Sequence, residues 1–101
     1  MQSYLKKSLI DYIIMDKDSM KELKRKANDM GAIFNLGKNG ITDTFIESVD
    51  KYLEAHEIIK LKTSIAGNKD EVTFYAQEVA SKTNSKILEV KGFTFVLVRE
   101  K

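Results

Sequence analysis

No cysteine occurs among the 101 residues. Disulfides, thiolate zinc sites and cysteine nucleophiles are therefore excluded, and the absence suits a reducing cytoplasm. Proline and tryptophan are missing as well. The single histidine, His56, has no second imidazole with which to form a metal pair or a proton relay. Neither sign of charge dominates: 17 basic residues against 15 acidic ones leave a formal net charge of +2, with a pI near 8.8. So small an excess does not by itself announce a nucleic-acid partner; what matters is where the basic residues fall. No apolar stretch approaches the length needed to span a bilayer, so no membrane partner is expected. The opening "MQSYLKKSLIDYIIMDKDSM" is basic and partly apolar. It has no clean apolar run and no small-residue cleavage site, and it is not read as a signal peptide.

What is present is enough for one core. Apolar residues make up 43% of the chain, which argues against wholesale disorder, and the length fits a single domain. Residues 1–16 stand apart as an extension: Leu5, Leu9 and Ile13 share one helical face, flanked by Ile10 and Ile14. The domain proper spans 17–101. Met20, Leu23, Ala27 and Met30 recur at spacings of three and four and predict a helix, with Asp18 or Ser19 as N-cap and Gly31 as C-cap. "AIFNL", Ala32 to Leu36, is a short strand stopped by glycine. Ile41, Phe45, Val49 and Leu53, spaced by four, give the strongest helix, capped by Thr42 and ending near His56. "EIIKLKT" reads as a strand with Ile59 and Leu61 on one face and Lys60 and Lys62 on the other. After a loop at Gly67-Asn68, Val72, Tyr75, Ala76, Val79 and Ala80 form another amphipathic helix. "SKILEV" and "FTFVLVR", joined at Lys91-Gly92, close the chain as a hairpin. The last strand is apolar on both faces, which predicts an interior place in the sheet. Helix, then strand–helix–strand–helix–strand–strand, is the pattern of a two-layer α/β sandwich.

The segment between the first strand and the strongest helix carries the chemistry. Gly37, Lys38, Asn39 and Gly40 form a glycine-bounded loop that runs into a helix N-terminus, where unpaired N–H groups and a partial positive charge collect. The loop has neither the spacing of a nucleotide triphosphate loop nor the three-glycine dinucleotide pattern. Two readings stay open on these residues: a structural turn, or a GxxG clamp on a nucleic-acid backbone of the kind found in KH domains. Lys21, Lys24 and Arg25 lie on one flank of the first helix, a cluster whose ordinary meaning is a solvated face. His56 reads as a helix-end residue favoured by the dipole. Glu54 and Glu57 read as a solvated pair outside any catalytic setting. Tyr52 and Tyr75 read as core or rim, and Phe93 with Phe95 as core in preference to a base-stacking strand.

Taken together, the basic "LKRKAND", the Gly-Lys-Asn-Gly-Ile-Thr loop, "AHEIIKLK" and the closing "VKGFTFVLVRE" closely resemble the CRM domain, the chloroplast RNA splicing and ribosome maturation module. Its small stand-alone prokaryotic members are the YhbY-like proteins. The resemblance covers residues 17–101. Where the family commonly carries a tyrosine before the closing arginine, this chain has Val98 before Arg99. The resemblance implies a fold like the C-terminal domain of translation initiation factor 3: a four-stranded mixed sheet in the order 1-2-4-3, strand 4 antiparallel to the rest. It also implies binding of structured RNA from ribosomal precursors or introns. Beside it, the chain is expected to act without enzymatic activity or a cofactor, as a cytoplasmic monomer that meets RNA or a pre-ribosomal particle. The contact residues that the resemblance implies are Gly37, Lys38, Asn39 and Gly40 of the loop, a basic helix surface of Lys24, Arg25 and Lys26, and Lys60, Lys62 and Arg99; Lys21 is added to them from the basic flank of the first helix.

Other functions make different demands. A nucleic-acid coating protein of the Alba type uses a related fold but wants a larger basic excess and a long basic hairpin, and the turn at Lys91-Gly92 is short. A small enzyme of the sulfur-carrier kind would need a cysteine. A protein–protein module without nucleic acid is the alternative that near-balanced charge favours.

Overall fold

The computed structural model describes residues 17–99; the apolar face of residues 1–16 lies outside them. The elements follow the implied order: α1 (Lys17–Asp29), β1 (Phe34–Leu36), α2 (Asp43–Ala55), β2 (Ile58–Thr63), α3 (Lys69–Lys82), β3 (Lys86–Lys91) and β4 (Thr94–Val98). The sheet order is β1-β2-β4-β3, with β1 and β2 parallel and β4 antiparallel to both of its neighbours. The interior strand is indeed the one that is apolar on both faces. Phe95, Val96, Leu97 and Val98 are all essentially buried.

That double-sided burial sets the layering. Phe95 and Leu97 join Ile59, Leu61 and Ile87 beneath α2 and α3, which contribute Val49, Leu53, Val72, Ala76, Val79 and Ala80. On the other face Val96, Val98 and Leu88 are covered by Leu23 and Ala27 of α1, with Met20 and Ile58 at the margin. The α/β sandwich thus carries helices on both faces of its sheet. Covering each buried Val or Leu of that second face contributes about 1.5–3 kcal/mol, so α1 belongs to the fold and is not an appendage.

Local chemistry explains most of the boundaries. Thr42 Oγ1 accepts the Phe45 N–H at 3.0 Å and caps α2. Asn68 Oδ1 accepts the Glu71 N–H at 3.0 Å and caps α3, while Glu71 Oε1 accepts the N–H of Gly67, the residue before the cap, at 2.7 Å, a one-residue variant of the capping box. At the far end of α3, Asn84 takes a φ of 54° and the Ser85 N–H bonds the Ala80 carbonyl at 2.9 Å, the six-to-one bond of a Schellman motif. His56 is the C-cap of α2, its ring stacked on Tyr52 with centroids 4.2 Å apart. Tyr52 and Tyr75 are half-buried.

Three sequence expectations are corrected. Helix α1 begins at Lys17, so Asp18 and Ser19 lie inside its first turn and neither is the N-cap. Gly31 is not a left-handed C-cap: Gly40 and Gly92 are the glycines with positive φ among the described residues. The last carbonyls of α1 are satisfied instead by a side chain from β2, described below. Phe93 is not core: it is 49% exposed, because β4 starts at Thr94 and Phe93 falls in the hairpin turn.

Candidate nucleic-acid interface

The loop after β1 is a hydrogen-bonded β-turn. The Gly40 N–H bonds the Gly37 carbonyl at 2.9 Å, which puts Lys38 and Asn39 at the two corners, both exposed. Neither corner residue has positive φ, and that sign pattern selects type I. Gly40 follows with a φ of 71°, a conformation that costs an L-residue roughly 1–2 kcal/mol. Gly37 is different. Its φ lies outside the left-handed region, and a Cβ added there would meet only Asn35 Nδ2, at 3.7 Å. That is ordinary van der Waals contact, so the fold explains one of the two glycines and leaves the other unexplained.

The turn does not stand alone. In the register of the sheet Asn35 lies opposite Lys62, Lys62 opposite Thr94, and Thr94 opposite Lys91. Directly paired residues share a face, so these four form a polar row across the side of the sheet that α1 covers elsewhere. Asn35 is two residues before Gly37, which sets Lys62 beside the loop. Ser64 knits the two together: its N–H bonds the Leu36 carbonyl at 3.1 Å and its hydroxyl donates to Asn35 Oδ1 at 3.1 Å.

Lys60 points from the same face of β2, two residues back, but its charge is engaged. Lys60 Nζ donates to the Ala27 carbonyl at 3.2 Å and the Met30 carbonyl at 3.3 Å. A cation on the last carbonyls of a helix satisfies orphan acceptors and opposes the dipole, which accounts for α1 stopping without a glycine cap. The contact also fixes the C-terminal end of α1 over the sheet, about two residues or roughly 7 Å along β2 from Lys62. Lys21, Arg25 and Lys26 are exposed and Lys24 is half-buried. Lys26 lies in the last turn, the end that Lys60 holds over the sheet; Lys21 lies a turn and more away from it. Asp18, Glu22 and Asp29 share this helix, so α1 is mixed in charge and basic chiefly through Lys24-Arg25-Lys26.

Arg99 falls elsewhere. Its N–H bonds the Glu57 carbonyl, at the opposite end of β2 from the loop, and its side chain turns to the α2/α3 face. There the guanidinium pairs with the Asp50 carboxylate and donates to the Thr83 carbonyl. It clamps the middle of α2 to the C-cap of α3. Of the residues expected at the interface, the fold sets Lys62 on the strand beside the loop and ties the end of α1 to the same strand through Lys60. Contact roles were also expected of Lys60 and Arg99, but Lys60 Nζ lies on the α1 carbonyls and the Arg99 Nη atoms lie on Asp50 and Thr83, with Nε buried and unpartnered. Asn35, Ser64 and Lys91 were not singled out in the sequence, and Phe93 was read as core; strand register and the hairpin turn bring them to this side of the sheet.

No helix among the described residues is long and apolar enough to cross a membrane, and no His, Cys, Asp and Glu cluster there is arranged to hold a metal. The model of the CRS1 / YhbY (CRM) domain matches residues 15–99. A Bacillus subtilis (strain 168) protein named "Probable RNA-binding protein YqeI" is 30% identical over 78 residues, which span 77% of this chain and 80% of that one. The solution structure of the hypothetical protein SAV1595 from Staphylococcus aureus, described as "a putative RNA binding protein", superposes with a TM-score of 0.73 at 28% identity. The match covers 87% of this chain and 91% of that one.

Proposed function

The chain belongs to the CRS1 / YhbY (CRM) domain family, and from that premise we propose that it binds RNA by clamping the phosphate backbone between the Gly37–Gly40 turn and a basic surface. The observation that carries the reading is Gly37. Neither its φ nor its surroundings demand a glycine, whereas close approach of a phosphate to bare backbone does. The turn runs into the capped N-terminus of α2, whose remaining N–H groups and dipole favour an anion. Lys38 at the exposed corner and Lys62 beside the turn supply the charge contacts, and Lys24, Arg25 and Lys26 extend the surface along α1, with Lys21 at its margin. Lys60 and Arg99 are left out of this interface because Lys60 Nζ sits on the α1 carbonyls and the Arg99 guanidinium is turned to Asp50 and Thr83, its Nε buried. The name borne by the Bacillus relative supports RNA as the partner, and the family resemblance supports structured RNA of ribosomal precursors; the proposal takes the protein to act as a monomer in the cytoplasm.

Backbone clamping has a measurable signature. With four to six cations at the phosphates, the logarithm of the affinity should fall against the logarithm of salt concentration with a slope of about −3 to −5. An anisotropy titration of a structured RNA at several salt concentrations reads it directly. A flat response, or equal affinity for duplex DNA, refutes the reading and favours the protein–protein or the Alba-like alternative respectively.

A further inference from the structure

Phe93 is an aromatic presented to solvent on a fixed support. It occupies the second position of the two-residue turn between Lys91 and Thr94. Gly92 takes the first with a φ of 59°, the sign pattern of a type II′ hairpin turn. The Phe93 carbonyl accepts two hydrogen bonds from Thr63, from N–H at 2.8 Å and from Oγ1 at 3.0 Å, and Thr94 Oγ1 donates to the Lys91 carbonyl at 2.8 Å across the turn. The ring itself stacks on no other ring among the described residues.

A single exposed apolar residue needs no explanation, but the surroundings of this one do. Phe93 lines a shallow, open surface hollow of about 240 Å³ whose other lining residues are Lys62, Thr63, Ser64 and Ala66. No carboxylate lines it. Its floor adjoins the clamp: Ser64 is bonded to Asn35 and Leu36, the two residues before Gly37. The volume lies below the roughly 300–1,000 Å³ of sites for drug-sized molecules and suits one planar ring system. A flat aromatic face, a hydroxyl at Ser64 and a cation at Lys62 are together the groups that receive a nucleobase with its phosphate.

We propose that this hollow holds one unpaired base of the bound RNA, stacked on Phe93, while the adjoining phosphate lies against Lys62 and the Gly37–Gly40 turn. The proposal rests on the RNA reading above and narrows it to a form of RNA. Bases inside an A-form helix are stacked on their neighbours and cannot reach a side chain, so the hollow selects a loop, bulge or strand end. Because every base has a π face, the selection is for an unpaired base and not for its identity.

The test compares wild type, Phe93→Leu and Phe93→Tyr by fluorescence anisotropy. The probes are a short labelled oligouridylate and an RNA duplex of equal length. Phe93→Leu keeps the apolar bulk and removes the aromatic face; it should weaken oligouridylate binding on the order of tenfold and leave duplex binding and the melting temperature where they are. Phe93→Tyr should bind the oligouridylate like wild type. Phe93→Leu that binds both probes like wild type, or weakens both equally, overturns the stacking proposal and leaves the RNA reading standing. So does a collapse of its melting temperature, which would assign Phe93 to the core. Wild type that binds neither probe overturns the proposal; if it also fails to bind the structured RNA of the salt titration, the RNA reading falls with it.

Discussion

Alanine at Gly37 and alanine at Gly40 distinguish a turn kept for its shape from a turn kept for its surface. At Gly40 the φ of 71° makes any Cβ costly, by roughly 1–2 kcal/mol. In a domain of this size that lowers the melting temperature by about 4–8 °C per kcal/mol. At Gly37 the added Cβ meets only Asn35 Nδ2 at 3.7 Å and the backbone is outside the left-handed region. Alanine there restricts the unfolded chain more than the folded one, and should change stability by nothing or raise it by up to about 1 kcal/mol. RNA binding should reverse the ranking. If a phosphate sits on the bare backbone at Gly37, a methyl group displaces it and loosens charge-assisted hydrogen bonds worth about 1.5–3 kcal/mol, a loss of roughly 10- to 100-fold in affinity. Circular dichroism melts and anisotropy titrations of the two variants are sufficient. The reasoning is refuted if Gly37→Ala binds RNA like wild type, or if it melts as far below wild type as Gly40→Ala does.

Two further outcomes follow from the partitioning of basic residues and from the chain's organisation. Arg99→Met should leave the buried Thr83 carbonyl without its donor and cost about 1–3 kcal/mol, with RNA affinity unchanged; an unaltered melt with lost RNA binding would return Arg99 to the interface. Deleting residues 1–14, upstream of α1 and of the family match at 15–99, should leave a folded domain that still binds RNA; a collapse in its melt would make the extension part of the core.

Much of the fold was legible because its signals are local or periodic. The four-residue spacing from Ile41 to Leu53, the Thr42 cap and the alternation in "EIIKLKT" each specify an element without reference to the rest of the chain. The two-sided apolar pattern of Val96 and Val98 against Phe95 and Leu97 even placed β4 inside the sheet. It did not say which element covers the second face, since burial by α1 is a tertiary choice. The errors share that origin. Gly31 looks like a C-cap until Lys60, some thirty residues on, supplies the donor. Phe93 looks like core until the type II′ turn takes it out of the strand. Lys60, Lys62 and Arg99 are equivalent as basic residues in a sequence, and only the register shows that one faces the loop, one caps a helix and one clamps α2 to α3 at the other end of the sheet.

The central claim is that the Gly37–Gly40 turn meets a phosphate backbone, and the double substitution Lys38→Asp with Asn39→Asp tests it most directly. It keeps both glycines and the turn hydrogen bond, and it changes the local charge by three units at two exposed corners. Three unfavourable charge increments within several ångströms of a phosphate should lower RNA affinity on the order of 30-fold or more at moderate salt, while the melting temperature stays within a degree or two, as is usual for exposed substitutions. A folded double variant that binds structured RNA as tightly as wild type would contradict the clamp and leave Gly37-Lys38-Asn39-Gly40 as a turn and nothing more.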